Sequence, residues 1–313
     1  MAGLLVAGGV MLFDDAPIER GFGLLLVAGI PAFLGGLIED LTKQVGVIKR
    51  LLLTILSGAV AAWLLGTVLN RLDIPGVDYA LQWLPLAVVF TSFAVGGVAN
   101  AMNIIDGYNG LAGGFAIIVV AALGYVAVLV GDNLVLTITL ALAGALLGFL
   151  VWNWPCGKIF LGDGGAYLLG FLLAEVSVLL VARNPEVSPW FPLLLLIYPV
   201  FETIFSIYRR KIKQGLSPGA PDNKHLHQLV HDKLVPFESR SSIKLSRTNA
   251  NSRVAKYFWS SNAVFAVLGA LFWRSTPILI CCAVGFCGFY VFCYRRIERW
   301  KSAPTAARNH GTT

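Results

Sequence analysis

The chain has 313 residues, of which 57% are hydrophobic and only 13% are charged. Soluble domains carry about 25% charged residues, so this composition excludes a soluble globular domain and indicates a membrane protein with several spans. The net charge of +7 predicts orientation in a membrane rather than nucleic-acid binding, because the basic residues are unevenly distributed along the chain.

Ten apolar segments follow one another along the chain. The first is short and rich in glycine, and the others have the roughly 17–25 residues that a spanning helix needs. The segments are 1–13, 21–38, 51–69, 79–101, 111–130, 133–152, 164–182, 190–208, 257–273 and 276–294. The sequence therefore predicts an all-α, polytopic integral membrane protein with about ten transmembrane helices, in a single membrane-embedded domain over residues 1–313.

Lysine and arginine are concentrated on one side of these segments. Twenty of the 24 Lys and Arg residues fall on that side, and eleven of them lie in 209–256. Loops rich in Lys and Arg stay in the cytoplasm. We therefore predict a cytoplasmic loop at 209–256 and a cytoplasmic tail at 295–313.

Four polar clusters interrupt the apolar pattern, and all of them fall on the predicted cytoplasmic side. In chain order they are 36–43 with Glu39 and Asp40, 100–114 with Asn103, Asp106 and Asn109, 152–165 with Asp163, and 217–228 with His225 and His227. Carboxylates at one membrane face suit a divalent cation and a phosphorylated ligand. Several histidines in a basic loop suit an anion or a diphosphate.

The second cluster has a regular spacing. Asn103, Asp106 and Asn109 recur at every third position, which places them on one face if the preceding helix continues that far. Gly107 and Gly110 then allow the backbone to turn and to approach a ligand.

Each cluster also has a purely structural interpretation. The adjacent carboxylates of the first cluster could end a helix at the water interface, Asp163 could cap the next helix, and the histidine loop could be solvated. Zinc binding by His225, His227 and His231 is a further alternative, but no Cys or carboxylate stands at a spacing that completes the site. Four polar clusters on one membrane side favour a shared functional site.

Taken together and in this order, the motifs resemble those of the polyprenyl-phosphate N-acetylhexosamine-1-phosphate transferases, integral membrane enzymes that start bacterial cell-envelope glycans. The resemblance runs from about Ala2 to about Arg299 and rests on the stretches 36–41, 100–111, 153–165 and 217–228. The last stretch is most similar to the branch that uses UDP-N-acetylglucosamine or a related UDP-sugar.

This resemblance implies a reaction at the cytoplasmic face of the bacterial inner membrane. The phosphate of undecaprenyl phosphate attacks the β-phosphorus of a UDP-sugar, which gives a lipid diphospho-sugar and UMP and initiates a glycan such as O-antigen. The implied cofactor is Mg²⁺, with Mn²⁺ as a substitute. The implied partners are the two substrates and membrane lipids, without nucleic acid, and a homodimer is compatible with this picture.

Roles for individual residues follow from the same resemblance. Asp163 would be the Mg²⁺ ligand, and Phe160 would stack on the uracil. The implied catalytic residues are Glu39, Asp40, Asp106, His225 and His227, and the implied substrate-binding residues are Asn100, Asn103, Asn109, Asn153, Phe160 and Asp222.

The chain departs from the family pattern at three places. Glu39 stands where the first of two aspartates is usual, and Gln228 stands where another histidine is common. The family also has an earlier span, so we expect the genomic sequence upstream of Met1 to encode another apolar segment.

Three rival functions remain open from the sequence. A transferase of CDP-alcohols would carry a tight Asp-rich motif on one helix, whereas the carboxylates here are spread over three loops. A transporter would place polar residues at mid-membrane, near broken helices. An inactive membrane scaffold would keep the fold without turnover.

Overall fold

The computed structural model describes residues 17–215, 222–235 and 247–300, and the side chains of all of these except 17–19 and 247–250. Every regular element in these ranges is helical, and none of the described residues forms a strand. The predicted all-α class is therefore confirmed. The predicted segment 1–13, and parts of the predicted loop 209–256 and tail 295–313, lie outside the described residues.

We number the α-helices of the described ranges in chain order. They are α1 (Pro17–Ala28), α2 (Ile30–Thr42), α3 (Val47–Leu65), α4 (Val77–Leu81), α5 (Leu84–Ile105), α6 (Leu111–Val130), α7 (Asn133–Asn153), α8 (Gly162–Arg183), α9 (Trp190–Leu195), α10 (Ile197–Tyr208), α11 (Leu226–Leu229), α12 (Arg247–Leu271) and α13 (Thr276–Arg299). Short π-helical turns, Arg209–Lys213 and Val230–Leu234, follow α10 and α11.

Six of these helices are long and apolar enough to cross a membrane, namely α3, α5, α6, α7, α8 and α13, and α1 with α2 forms a seventh candidate that is bent by 40°. They make the chain a multi-pass membrane protein. The predicted segment 190–208 is broken at Leu196, three residues before Pro199, whose missing N–H leaves the carbonyl of Leu195 without its helical partner. The predicted count of ten spans is not confirmed, although helices occur at every predicted segment from 21 onward.

Helix α8 lies at the centre of the described bundle. All of its side chains from Gly164 to Val181 are buried, because α2, α3, α5, α6 and α7 pack around it. Its approach to α2 depends on glycine: a β-carbon at Gly36 would lie 2.4 Å from the backbone of Asp163 and Gly164. This close contact brings the C-terminal end of α2 to the N-terminal end of α8, where two of the predicted polar clusters meet.

At the opposite face of the bundle, side chains connect two loops and the start of a helix. Arg71 donates to the carbonyls of Pro185 at 2.7 Å and Val187 at 2.6 Å, and it pairs with Asp73 at 2.9 Å. Asp73 also accepts a hydrogen bond from Thr276. We call these contacts the clasp. It joins the loop after α3, the loop after α8 and the start of α13.

Candidate active site

Four carboxylates converge at the ends of α2, α5 and α8. We call them the acidic cluster: Glu39, Asp40, Asp106 and Asp163. Asn103, in the last turn of α5, donates from Nδ2 to Asp163 Oδ1 at 3.0 Å, and the N–H of Gly164 donates to Asp40 Oδ2 at 3.1 Å. Residues from three of the predicted clusters are therefore in contact.

Asp163 lies in the first turn of α8, and both of its carboxylate oxygens have donors from other helices. Oδ1 accepts the bond from Asn103, and Oδ2 accepts a bond from Nη1 of Arg50 at the start of α3. The N-cap of α8 is Leu161, and Asp163 accepts its hydrogen bonds from Arg50 and Asn103. The interpretation of Asp163 as a helix cap is therefore wrong.

Asp40, on the neighbouring helix α2, instead accepts a hydrogen bond from the N-terminal turn of α8. Its Oδ2 accepts the Gly164 N–H, and its Oδ1 lies 3.7 Å from Nζ of the exposed Lys43. A helix N-terminus attracts anions through its unpaired N–H groups. Asp40 thus adds a carboxylate at a position where the helix already favours negative charge.

Glu39 holds the loop that connects α2 and α3. Its Oε2 accepts the Val45 N–H at 2.7 Å, and its Oε1 lies 4.0 Å from Nη1 of Arg50. The Arg50 side chain is only 17% exposed, and its Nε is buried without a hydrogen-bond partner. The sequence interpretation missed Arg50, because nothing distinguishes it there from the other basic loop residues.

Asp106 comes directly after the end of α5. Burial raises the pKa of Asp106 to about 7, and the charges of Asp163 and Asp40 contribute to the same rise. Asp106 is therefore partly protonated near neutral pH.

The prediction that Asn103, Asp106 and Asn109 share one helix face is wrong for Asn109. Helix α5 ends at Ile105, so Asn109 lies beyond the turn and donates to the carbonyl of Pro155 at 2.9 Å. The predicted turn is confirmed at Gly110, which has a φ of +79° and directly precedes α6.

Two other predicted carboxamides form hydrogen bonds between elements of the bundle. The buried Asn153 accepts the Gly110 N–H at 2.6 Å and donates to the carbonyl of Ile159 at 2.7 Å. Asn100 donates to Thr54 Oγ1 at 2.8 Å and so links α5 to α3. The predicted roles of these residues in substrate binding stay predictions.

Phe160 lies apart from the carboxylates. Its side chain is 68% exposed, and it forms one wall of an apolar cavity of about 240 Å³ together with residues such as Phe149 and Leu169. An exposed aromatic ring is free to stack on a base. Its role in uracil binding stays a prediction.

The second group of polar side chains is the histidine cluster, which we define as Glu202, Asp222, His225 and His227. His225 Nδ1 lies 2.9 Å from Glu202 Oε1, and its Nε2 lies 3.7 Å from Asp222 Oδ2. His227 Nδ1 lies 3.1 Å from the Tyr198 hydroxyl. The two imidazole rings stack with centroids 5.4 Å apart.

Burial contradicts the solvated-loop interpretation for this cluster. His227 is only 2% exposed and His225 is 9% exposed. Burial lowers the pKa of His227 to about 4, although the negative charge of Glu202 opposes this shift. His227 is therefore neutral at physiological pH.

The zinc alternative also fails over the described residues. No three His, Cys, Asp or Glu side chains among them are arranged to hold a metal ion. His231, the third histidine of that hypothesis, pairs with Asp232 at 2.8 Å and lies against the ring of Tyr108.

The two clusters meet at the turn after α5. His227 Nε2 would lie 4.0 Å from a β-carbon at Gly107, the residue that follows Asp106. The histidine cluster therefore lies next to the acidic cluster at this turn.

Glu202 is the functional candidate that the sequence interpretation missed within the histidine cluster. It is 1% exposed and is the only carboxylate in the predicted segment 190–208. A lone carboxylate in an apolar span is costly unless it has partners, so this signal was present in the sequence. Its partner Tyr290 lies on another helix and gives no comparable signal.

These features define a polytopic helical membrane protein whose polar site, rich in carboxylates and histidines, lies at one end of its helices. The chain belongs to glycosyl transferase family 4, whose family profile matches residues 22–181.

Several relatives are similar to this chain. A probable undecaprenyl-phosphate N-acetylglucosaminyl 1-phosphate transferase of Bacillus subtilis is 36% identical over 48% of this chain and 41% of its own length. Undecaprenyl-phosphate alpha-N-acetylglucosaminyl 1-phosphate transferases of Thermotoga maritima and Yersinia pestis are 31% and 27% identical. These matches cover 74% and 97% of this chain, and 69% and 81% of the relatives.

Proposed function

We propose that this protein transfers N-acetylglucosamine 1-phosphate, or a related N-acetylhexosamine 1-phosphate, from a UDP-sugar to undecaprenyl phosphate. UMP is the second product, and the lipid-linked sugar starts a cell-envelope glycan such as O-antigen. The observation that carries the proposal is the meeting of the acidic cluster and the histidine cluster at one membrane face. The names of the relatives support the choice of substrates.

The location of the site suits one lipid substrate and one water-soluble substrate. The carboxylates lie at the ends of apolar helices, so a lipid phosphate can reach them from the membrane surface while its tail stays in the bilayer. The nucleotide sugar can enter from the aqueous side. Phosphoryl transfer depends mainly on positioning and on electrostatic stabilisation, which fixed side chains on helix ends can supply.

The acidic cluster fits a Mg²⁺ ion that is shared with a phosphate ligand. Mg²⁺ in such sites takes one or two carboxylates and completes its shell with water and substrate phosphates, so the described residues need not supply a cage of three. Asp163 would be the main ligand, with Asp106 or Asp40 nearby. When bound, the ion would neutralise the diphosphate and stabilise the charge that develops during transfer.

The protein's own residues have distinct tasks in this proposal. Asn103 and Arg50 fix the orientation of the Asp163 carboxylate through their hydrogen bonds to its two oxygens. His227 directs Nε2 to the turn after Asp106, from where a ring N–H can donate to phosphate oxygens. His225 stacks beside it. Phe160 would stack on the uracil ring.

A cytoplasmic site in the bacterial inner membrane is part of the same proposal. It is supported by the concentration of Lys and Arg on the side that carries both clusters. Alkaline phosphatase is active only outside the cytoplasm, so a fusion after Gln214 is expected to be inactive and a matched fusion after Asn184 to be active. The reverse pattern would place the site on the wrong side of the membrane.

Turnover by purified protein tests the reaction directly. We expect UMP release from UDP-N-acetylglucosamine only when undecaprenyl phosphate and Mg²⁺ are both present, and a panel of UDP-N-acetylhexosamines would identify the preferred sugar. CDP-alcohols serve as the control for the rival transferase. Absence of UMP release with every UDP-sugar would support the scaffold interpretation.

A further inference from the structure

Glu202 lies on α10, outside the acidic cluster, and every hydrogen bond that it accepts comes from the histidine loop or from α13. His225 Nδ1 lies 2.9 Å from Oε1, and the Leu226 N–H donates to Oε2 at 3.1 Å. The Tyr290 hydroxyl donates to the same Oε2 at 2.7 Å. The side chain is 1% exposed, so these contacts replace water completely.

The contact with His225 determines the state of that ring. A carboxylate can only accept, so the hydrogen of the imidazole lies on Nδ1. Nε2 is then directed away from Glu202, toward Asp222 Oδ2 at 3.7 Å. One carboxylate thus fixes both the orientation of the ring and the position of its proton.

The contact with Leu226 fixes the backbone of the same loop. Leu226 is the first residue of α11, and its N–H would otherwise lack a partner inside the protein. Leu226 also separates His225 from His227 in the chain, so the bond fixes the stretch that carries both rings. Gln228 completes the turn by accepting the His225 N–H at 2.9 Å.

We infer that Glu202 is a positioning residue for the proposed transfer reaction, which acts by holding His225 in one orientation and one tautomer beside His227. This inference rests on the proposed function. Glu202 itself does not reach the acidic cluster, and its effect on turnover passes through His225.

A double-mutant cycle tests this dependence. Glu202→Gln keeps the size of the side chain but can place a donor against His225 Nδ1, which favours the wrong tautomer. Loss of such a supporting partner typically lowers activity by about 10–100-fold. If Glu202 acts through His225, adding Glu202→Gln to His225→Ala changes kcat by less than about twofold, because the partner is already gone. An equal loss in both backgrounds would overturn the inference.

Matched variants separate positioning from general stability. Tyr290→Phe removes one hydrogen bond to Glu202 but keeps the carboxylate against His225. The kcat of this variant should therefore stay within about threefold of the parent. A loss of kcat as large as that of Glu202→Gln would contradict the proposal. If Glu202→Gln does not fold, Glu202→Asp replaces it in the same cycle, since the shorter side chain keeps the charge and loses its reach to His225.

A measurement without turnover distinguishes this inference from the proposed function. Diethyl pyrocarbonate modifies accessible imidazoles, and His231 in the same chain provides the internal reference because it is more exposed. Release of His225 in Glu202→Gln should raise its modification rate relative to His231 by at least about fivefold, even if the parent releases no UMP. An unchanged ratio shows that Glu202 does not hold the ring.

Discussion

Arg50 and Asp163 are 113 residues apart in the sequence, and their side chains form an ion pair where α2, α3 and α8 meet. Because Asn103 binds the other oxygen of Asp163, the whole carboxylate is engaged by protein donors. A metal ion that binds Asp163 therefore has to share this carboxylate with Arg50 or displace it.

The first prediction concerns Asp163 itself. Asp163→Asn keeps the shape of the side chain and an oxygen that can accept a hydrogen bond, but it removes the charge that a hard cation requires. We expect UMP release to fall at least about a hundredfold, because loss of several kcal/mol of charge stabilisation has that effect. Thermal stability should also fall, because Arg50 or Asn103 then faces an amide N–H instead of a carboxylate oxygen. Glu186→Gln, at an exposed ion pair with Arg274, is the control, and parental turnover in Asp163→Asn would exclude the metal role.

The second prediction follows from the Arg50–Asp163 pair. Arg50→Gln removes a competing positive charge from beside Asp163, so Mn²⁺ used as a probe for Mg²⁺ should bind at least about tenfold more tightly. Electron paramagnetic resonance of free Mn²⁺ measures this affinity without substrate. Lys49→Gln removes the same charge from an exposed neighbouring position and should leave the affinity within about twofold. Equal effects of the two variants would mean that Arg50 does not compete.

The third prediction concerns pH. The pKa of His227 is lowered from 6.5 to about 4, chiefly by burial, so the unfolded chain takes up a proton at a pH where the folded protein does not. The free energy of unfolding therefore has its full value above about pH 6.5. It decreases as the pH falls from there toward 4, because protonation of His227 favours the unfolded chain. By linkage the loss amounts to roughly 3 kcal/mol. His227→Gln should lose correspondingly less stability over this range in thermal unfolding, whereas the matched His231→Gln should follow the parent.

The fourth prediction concerns the contact between α2 and α8. Gly36→Ala places a methyl group 2.4 Å from backbone atoms that cannot move away easily, so we expect a loss of roughly 1–3 kcal/mol in stability. Turnover should fall as well, because Asp40 and Asp163 are separated. Gly97→Ala is the control, since nothing lies within 4 Å of the added carbon. A Gly36→Ala protein as stable as Gly97→Ala would show that the helices can separate at no cost.

The parts of this structure that the sequence predicted are those with a local signal. Apolar runs predicted the helices, and the polar clusters predicted where Asp40, Asp106 and Asp163 would gather. The sequence misplaced Asn109, because the spacing of three residues gives no sign that α5 ends at Ile105. It missed Arg50 because its partner lies on another helix, and pairing across helices leaves no pattern in a single sequence.

Glu202 differs from Arg50 in this respect. A lone carboxylate in an apolar segment is visible in the sequence, and the free-energy cost of burying it could have identified Glu202 as a functional candidate. Its partner could not be identified from the sequence, since His225 reaches Glu202 only after the loop folds back onto α10. The break at Leu196 was equally hidden, because Pro199 is tolerated in many membrane helices and does not by itself specify where a helix is interrupted.

The clasp has a consequence for the biosynthesis of this protein. Asp73 and Thr276, which it joins, are 203 residues apart, so the loop after α3 leaves the ribosome long before its partner exists. At about 5–20 residues per second, this separation corresponds to roughly 10–40 seconds of translation. During that interval the early helices are in the bilayer without the hydrogen bond between Thr276 and Asp73. The face opposite the active site is therefore tied together only after α13, which carries Thr276, has been synthesised.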